Sequence, residues 1–264
     1  MKLAFSTLGC PSWSFEEVLS TASDLGYDAI EIRGIANELY APDIKQFLPE
    51  NRAKTLEKLK SLKLSLSMLT SAASLAVYGQ QDKAFGEAKA YIDLAKELGV
   101  PFVRVMCTNS PEPQGGDLVL CKKLYKKLLE YADGTGVLPV METNGIFADT
   151  KLLNSFLEEC GGGALWDINH PYRFAGESIE TTVKNLGAKI RYVHIKDSVV
   201  KNGRTQYKML GYGDIPVRDA LNLLRDDGYD GTVSLEWVKR WEPDLEEAGI
   251  VFAQFISTIK RYLK

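Results

Sequence analysis

Leu165-Trp166-Asp167-Ile168-Asn169-His170 follows Ala164 as an apolar run that ends in an acid, with a histidine three positions later. An apolar run that stops at a carboxylate and an imidazole is how a buried parallel strand delivers polar groups to the mouth of a βα barrel. The second histidine of the chain repeats the pattern, because Ile190-Arg191-Tyr192-Val193 runs into His194 before Ile195-Lys196-Asp197. Both histidines of a 264-residue chain therefore stand at what read as C-terminal strand ends.

Working outward from these two runs, strands and helices alternate along the whole chain. Strands are predicted over 2–6, 28–32, 64–68, 102–106, 137–142, 164–167, 190–195 and 232–236, the third from its alternation of Leu and Ser. Helices are predicted over 15–25, 49–62, 81–98, 118–132, 151–159, 179–186, 217–226 and 245–262. The clearest is 81–98, where Phe85, Ala88, Ile92, Ala95 and Leu98 share one face before the Gly99 stop. Lys122, Lys123, Lys126 and Lys127 group on the outer side of 118–132, as on a solvated face. Eight repeats with no linker predict one domain over residues 1–264, an α/β protein with the (β/α)8 TIM-barrel fold.

Bulk properties agree. A chain that is 45% hydrophobic can bury a barrel core, and a net charge of −3 argues against a nucleic-acid partner held through its phosphates. Cys10, Cys107, Cys121 and Cys160 are widely spaced with no C-x-x-C pair, which reads as reduced thiols of a cytoplasmic protein. The longest uncharged run, 64–81, is rich in Ser, Thr, Gly and Gln, so no membrane span is expected.

In a barrel every strand ends at the same mouth, which brings Glu142, Asp167, His194 and Glu236 together from the last four strands. One such acid could simply cap the next helix. Three carboxylates in one pocket need a counter-charge, and a divalent cation supplies it. An oxygen-rich set with one imidazole suits Mn²⁺, Co²⁺ or Mg²⁺, with Zn²⁺ as an alternative. His170 fits a substrate-binding or supporting role. Lys196 and Arg204, with Lys208, Lys239 and Arg240, follow the last two strands, where barrels often hold phosphate. They either contact an anionic substrate or pair with Asp197, Asp214 and Glu242 around the rim. Trp13, Trp237 and Trp241 also lie near the mouth, where they either stack on the apolar face of a ligand or pack under loops.

Several motifs in order carry a family resemblance: Gly26-Tyr27-Asp28-Ala29-Ile30-Glu31-Ile32, Glu142-Thr143-Asn144, Trp166 to His170, Val193 to Asp197, Gly211-Tyr212-Gly213-Asp214-Ile215-Pro216 and Ser234-Leu235-Glu236. Over nearly its full length the chain resembles the xylose-isomerase-like superfamily, and within it the sugar phosphate isomerase/epimerase group near ketose 3-epimerases and hydroxypyruvate isomerase. The resemblance implies one metal on Glu142, Asp167, His194 and Glu236, proton transfer by Glu142 and Glu236 through a metal-stabilised cis-enediolate, and substrate contact by His170. It implies a small sugar or sugar phosphate as substrate and is compatible with a homodimer or homotetramer. Two departures stand out: Gly211-Tyr212-Gly213 replaces the frequent Gly-Glu-Gly, and an arginine expected soon after His194 is matched only by the later Arg204. An inosose-type dehydratase would use the same site, and a non-catalytic sugar-binding barrel would keep it without turnover. The histidine-rich multi-zinc site of DNA-repair endonucleases in the superfamily does not fit two histidines.

Overall fold

Alternation of period two along each strand decides what faces the barrel axis. The computed structural model describes residues 1–264. Its strands are β1 (Lys2–Ser6), β2 (Ala29–Ile32), β3 (Ser65–Ser74), β4 (Phe102–Met106), β5 (Leu138–Glu142), β6 (Gly163–Asp167), β7 (Ile190–Ile195), β8 (Asp197–Lys201), β9 (Arg204–Lys208) and β10 (Thr232–Leu235). Eight of them close into a barrel in the order β1-β10-β7-β6-β5-β4-β3-β2, while β8 and β9 form a separate antiparallel pair. All barrel pairings are parallel. Around them lie α1 (Phe15–Leu25), α2 (Pro49–Ser61), α3 (Gln81–Leu98), α4 (Leu118–Ala132), α5 (Thr150–Cys160), α6 (Ile179–Leu186), α7 (Val217–Asp226) and α8 (Ala248–Tyr262). This is the single (β/α)8 barrel expected from the alternation.

Two cores follow from the two faces of the strands. The larger lies between strands and helices and includes Phe5, Ile30, Val103, Trp166, Val193 and Phe252. The smaller fills the barrel interior with Met68, Val140, Leu165 and Tyr192, floored by Phe102 and Leu138. Two residues further along the same strand faces the interior turns polar, with Arg104, Glu142, Asp167 and His194, all buried. The site thus sits on an apolar plug, and its side chains are aimed by the same pleat that fills the core.

Helix ends are set locally. Ser14 caps α1 in a reciprocal box with Glu17, and Gly26 ends it in the left-handed conformation. Asp117 and Asp149 cap α4 and α5 by accepting from the N–H groups of Leu120 and Leu152. No helix is long and apolar enough to cross a membrane.

The structure departs from the sequence reading in three places. Strand β3 runs on to Ser74, pairing with β4 at Thr70 and again at Ser74 across a register shift that bulges out the small residues between them. The last helix starts at Ala248, not 245, since Trp237 donates to the Glu246 carbonyl at 3.0 Å and holds that approach as a loop. The β8–β9 hairpin, where no strand is predicted from sequence, turns at Asn202 and Gly203, both at positive φ.

Candidate functional site

Glu142 ends β5, Asp167 ends β6, His194 lies near the end of β7, and Glu236 follows β10, where its N–H still donates to Ile195 O at 3.1 Å. One ligand atom from each of the four lies within 4.8 Å of the others. His194 Nδ1 stands 3.6 Å from Glu142 Oε1, 3.9 Å from Asp167 Oδ2 and 3.6 Å from Glu236 Oε1. All four side chains are buried.

These residues fit a divalent cation on an observation independent of their names. His194 Nδ1 and Asp167 Oδ2 are buried and make no hydrogen bond, although Lys196 Nζ is 2.7 Å from the latter. A buried ring nitrogen left without a partner is costly, and here it faces the three carboxylates. The other face of the ring is fixed by Glu31, whose Oε2 lies 3.0 Å from His194 Nε2 and whose Oε1 accepts from Thr70 Oγ1 at 2.8 Å. With the neutral ring's proton on Nε2, the Nδ1 lone pair faces the three carboxylates. Glu31→Ala removes that restraint and is expected to weaken cation binding about 10- to 100-fold. Unchanged affinity by titration calorimetry would remove Glu31 from the site's support.

The two glutamates are held alike. Each turns Oε1 toward His194, while Oε2 of Glu142 meets Arg104 Nη1 at 3.2 Å and Oε2 of Glu236 meets Lys196 Nζ. Burial alone would push the Glu142 carboxyl up, but Arg104 and then His194 hold it well below the usual carboxylate range. For Glu236 burial is likewise outweighed, by Lys196 and His194, and the carboxyl falls to about 2. Burial also opposes the charged form of His194, yet Glu31, Glu236 and Glu142 raise it well above the ordinary imidazole range. His170 donates from Nδ1 to Thr143 O at 3.1 Å and turns Nε2 toward Lys196 at 3.4 Å. Burial lowers its pKa, Asp167 opposing and Lys196 assisting.

The four residues open onto a cavity of about 430 Å³ whose lining includes Arg33, Arg104, Asn144, His170, Lys196, Tyr207 and Trp241. Of the residues expected from sequence to touch substrate, His170 and Lys196 lie on this wall, while Arg204 and Trp13 stand apart. Arg204 is exposed at the start of β9, near the hairpin turn. Trp13 packs edge-on against Phe252, 5.6 Å between ring centres. Lys239 and Arg240 bond to main-chain carbonyls, of Pro243 and Leu245 and of Pro11 and Ala36, so they staple loops. Arg104 was not singled out from sequence. Its signal was a charge inside an apolar strand, on the parity of Phe102 and Met106.

Fructoselysine 3-epimerase of Shigella flexneri is 25% identical to this chain over 269 residues, covering 93% of the chain and 94% of that protein. The crystal structure of D-allulose 3-epimerase from Methylomonas sp. in complex with D-allulose has a TM-score of 0.75 at 18% identity, over 99% of this chain and 97% of that one. The IOLI protein with a binding zinc atom has a TM-score of 0.80 at 20% identity, over 100% and 98%. At these identities the two structures show the shared fold. Residues 19–253, which include all four members of the carboxylate–imidazole cluster, match the family described as Xylose isomerase-like TIM barrel, and the chain belongs to that family.

Proposed function

We propose that this sugar isomerase/epimerase moves a proton at the carbon beside a sugar's carbonyl, with Glu142 and Glu236 as acid and base and one divalent cation, Mn²⁺, Co²⁺ or Mg²⁺, held by Glu142, Asp167, His194 and Glu236. The observation that carries it is the matched pair of glutamates, each offering one oxygen to the common centre and the other to a fixed cation. A bound cation would supply Lewis-acid polarisation of adjacent carbonyl and hydroxyl oxygens, offsetting the charge of an enediolate. The relative's name, a 3-epimerase, supports the same chemistry. A cytoplasmic location fits the four unpaired thiols, three of them buried.

Glu142 and Glu236 come from strands separated in the barrel by β6 and β7, so they flank the space above those strands from two sides. A substrate between them would present one face to each, so one carboxylate can take a proton while the other returns it. Return to the same carbon from the opposite face gives an epimer; return to the neighbouring carbon interconverts aldose and ketose. Arg104 and Lys196 keep both carboxylates ionised between turnovers. Lys196, His170 and Asn144 on the wall can hold hydroxyls, and the apolar plug below excludes water from the barrel axis.

The test is deuterium wash-in from heavy water with ketoses, ketose phosphates, hydroxypyruvate and inososes, with divalent cation and after chelation. Cation-dependent exchange beside a carbonyl with product of unchanged mass is expected. Loss of water from the product would identify a dehydratase instead, and binding without exchange would leave a sugar-binding barrel.

Cation binding should also be linked to pH. His194 is raised well above its ordinary range, so the empty site carries a proton at neutral pH that an incoming cation displaces. Affinity is therefore expected to rise with pH by close to tenfold per unit around neutrality, and to fall as acid restores the proton. Calorimetry in buffers of different ionisation enthalpy checks this, and a binding heat independent of buffer would contradict it.

A further inference from the structure

The cavity holds one cation with no carboxylate partner. Arg104 pairs with Glu142 and Glu236, and Lys196 with Asp167 and Glu236. Arg33, at the mouth end of β2 and only 9% exposed, lines the same cavity, and its single side-chain bond is a long 3.4 Å contact from Nη1 to Leu39 O. Glu87 and Glu236 are near enough to favour its charge, but neither carboxylate comes within ion-pair distance of the guanidinium. The guanidinium is held in place from behind. Gly34, at φ +139°, folds the chain back so that Ile35 and Glu38 bridge and Leu39 O comes within reach. A side chain at 34 would collide with Glu38 O. On its other side Arg33 faces the ring of Trp241 at 5.7 Å, and that ring is half-exposed at the cavity rim.

The charges of the interior make the surplus explicit. Glu31, Glu142, Asp167 and Glu236 are four buried carboxylates, which Arg104, Lys196 and one divalent cation, once bound, would balance. Arg33 is left over. A desolvated guanidinium without a counter-ion, with donors open to a cavity, is a receptor for a planar or tetrahedral oxyanion.

We propose that Arg33, backed by Trp241, binds an anionic group of the substrate, a carboxylate or a phosphate, so that the preferred sugar is an acidic one. This rests on the proton-transfer reading above and names the substrate class of that site. In barrel order β2 lies opposite β6, so the anion sits across the mouth from His170 and away from the carbon that exchanges its proton. Arg33 is accordingly a specificity residue that the chemistry itself does not require.

The experiment uses polyols that cannot enolise, so that binding is read separately from turnover. Sorbitol, gluconate and sorbitol 6-phosphate are titrated calorimetrically into the cation-loaded protein and into cation-loaded Arg33→Ala, with equal cation content checked by elemental analysis. One of the two anions is expected to bind at least tenfold more tightly than sorbitol, and Arg33→Ala to lose that preference while its sorbitol affinity and melting temperature stay unchanged. Which anion is preferred separates carboxylate from phosphate. In the deuterium assay, Arg33→Ala should raise KM for the acidic ketose at least tenfold with little change in kcat, and Arg33→Lys should recover part of it. Equal binding of all three polyols by both proteins overturns the proposal even where neutral ketoses exchange, and absence of exchange in every sugar with anion selectivity intact overturns the proton-transfer reading instead.

Discussion

Glu236→Gln is expected to lower turnover by about 10²- to 10⁴-fold, the usual contribution of a positioned general acid or base, while the barrel stays folded and the cation stays bound. The amide keeps the shape of the carboxylate and one oxygen for the common centre, so what it loses is the capacity to carry a proton. Lys196, which meets Oε2, is left with Asp167 as its carboxylate partner at 2.7 Å. Glu142→Gln should show the same loss, and the two variants separate the directions of transfer. If Glu236 takes the proton, wash-in of deuterium fails in its variant; if Glu142 only returns it, exchange in Glu142→Gln persists without net product. Turnover near that of the parent protein, with cation content confirmed by elemental analysis, would take Glu236 out of the proton path.

The second large effect falls on stability. Arg104→Met leaves Glu142 and Glu236 buried beside one another with no guanidinium between them and removes two bonds to Ser71 O, at 2.8 Å and 3.3 Å. Breaking a buried charge pair by removing one partner costs about 3 to 5 kcal/mol. At roughly 2 to 4 °C per kcal/mol, Tm of the chelated protein should fall by about 6 to 20 °C. Added divalent cation should recover part of the loss, because it supplies positive charge to the same two carboxylates from their other side. A Tm within about 2 °C of the parent would mean that the carboxylates relax or protonate without cost.

How much of this was legible in the sequence depended on distance along the chain. The barrel was legible because its signal is local and repeated: apolar strands and amphipathic helices recur eight times, and four of the helices stop at a glycine. The set Glu142, Asp167, His194 and Glu236 was legible because each ends its own apolar run. Glu31 stood out only as part of the motif Gly26 to Ile32, since its contact with His194 spans 163 residues and exists only once the barrel closes. The unpaired state of Arg33 was invisible for the same reason, because lacking a partner is a property of the assembled mouth. Arg204 was assigned to the mouth because it follows the seventh predicted strand, although Val199 and Val200 leading to Asn202-Gly203 carry a hairpin signal that would have moved it outward.

That hairpin has an anchored root and a free tip. The Asp197 carboxylate accepts backbone N–H bonds from Ser198, Gly211, Gly213 and Ile215, and a Cβ on Gly213 would collide with it. Arg173 adds bonds to Ser198 and Asp214. Lys201, Asn202, Gly203 and Arg204, by contrast, stand exposed in solvent. Root and tip therefore answer to different selection. The root sets where Lys196 and Tyr207 meet the cavity and tolerates little change, whereas the tip can drift, lengthen or accept grafted residues over the mouth. Diversification of substrate scope within this architecture has a ready place to occur, one that leaves the proton-transferring pair undisturbed.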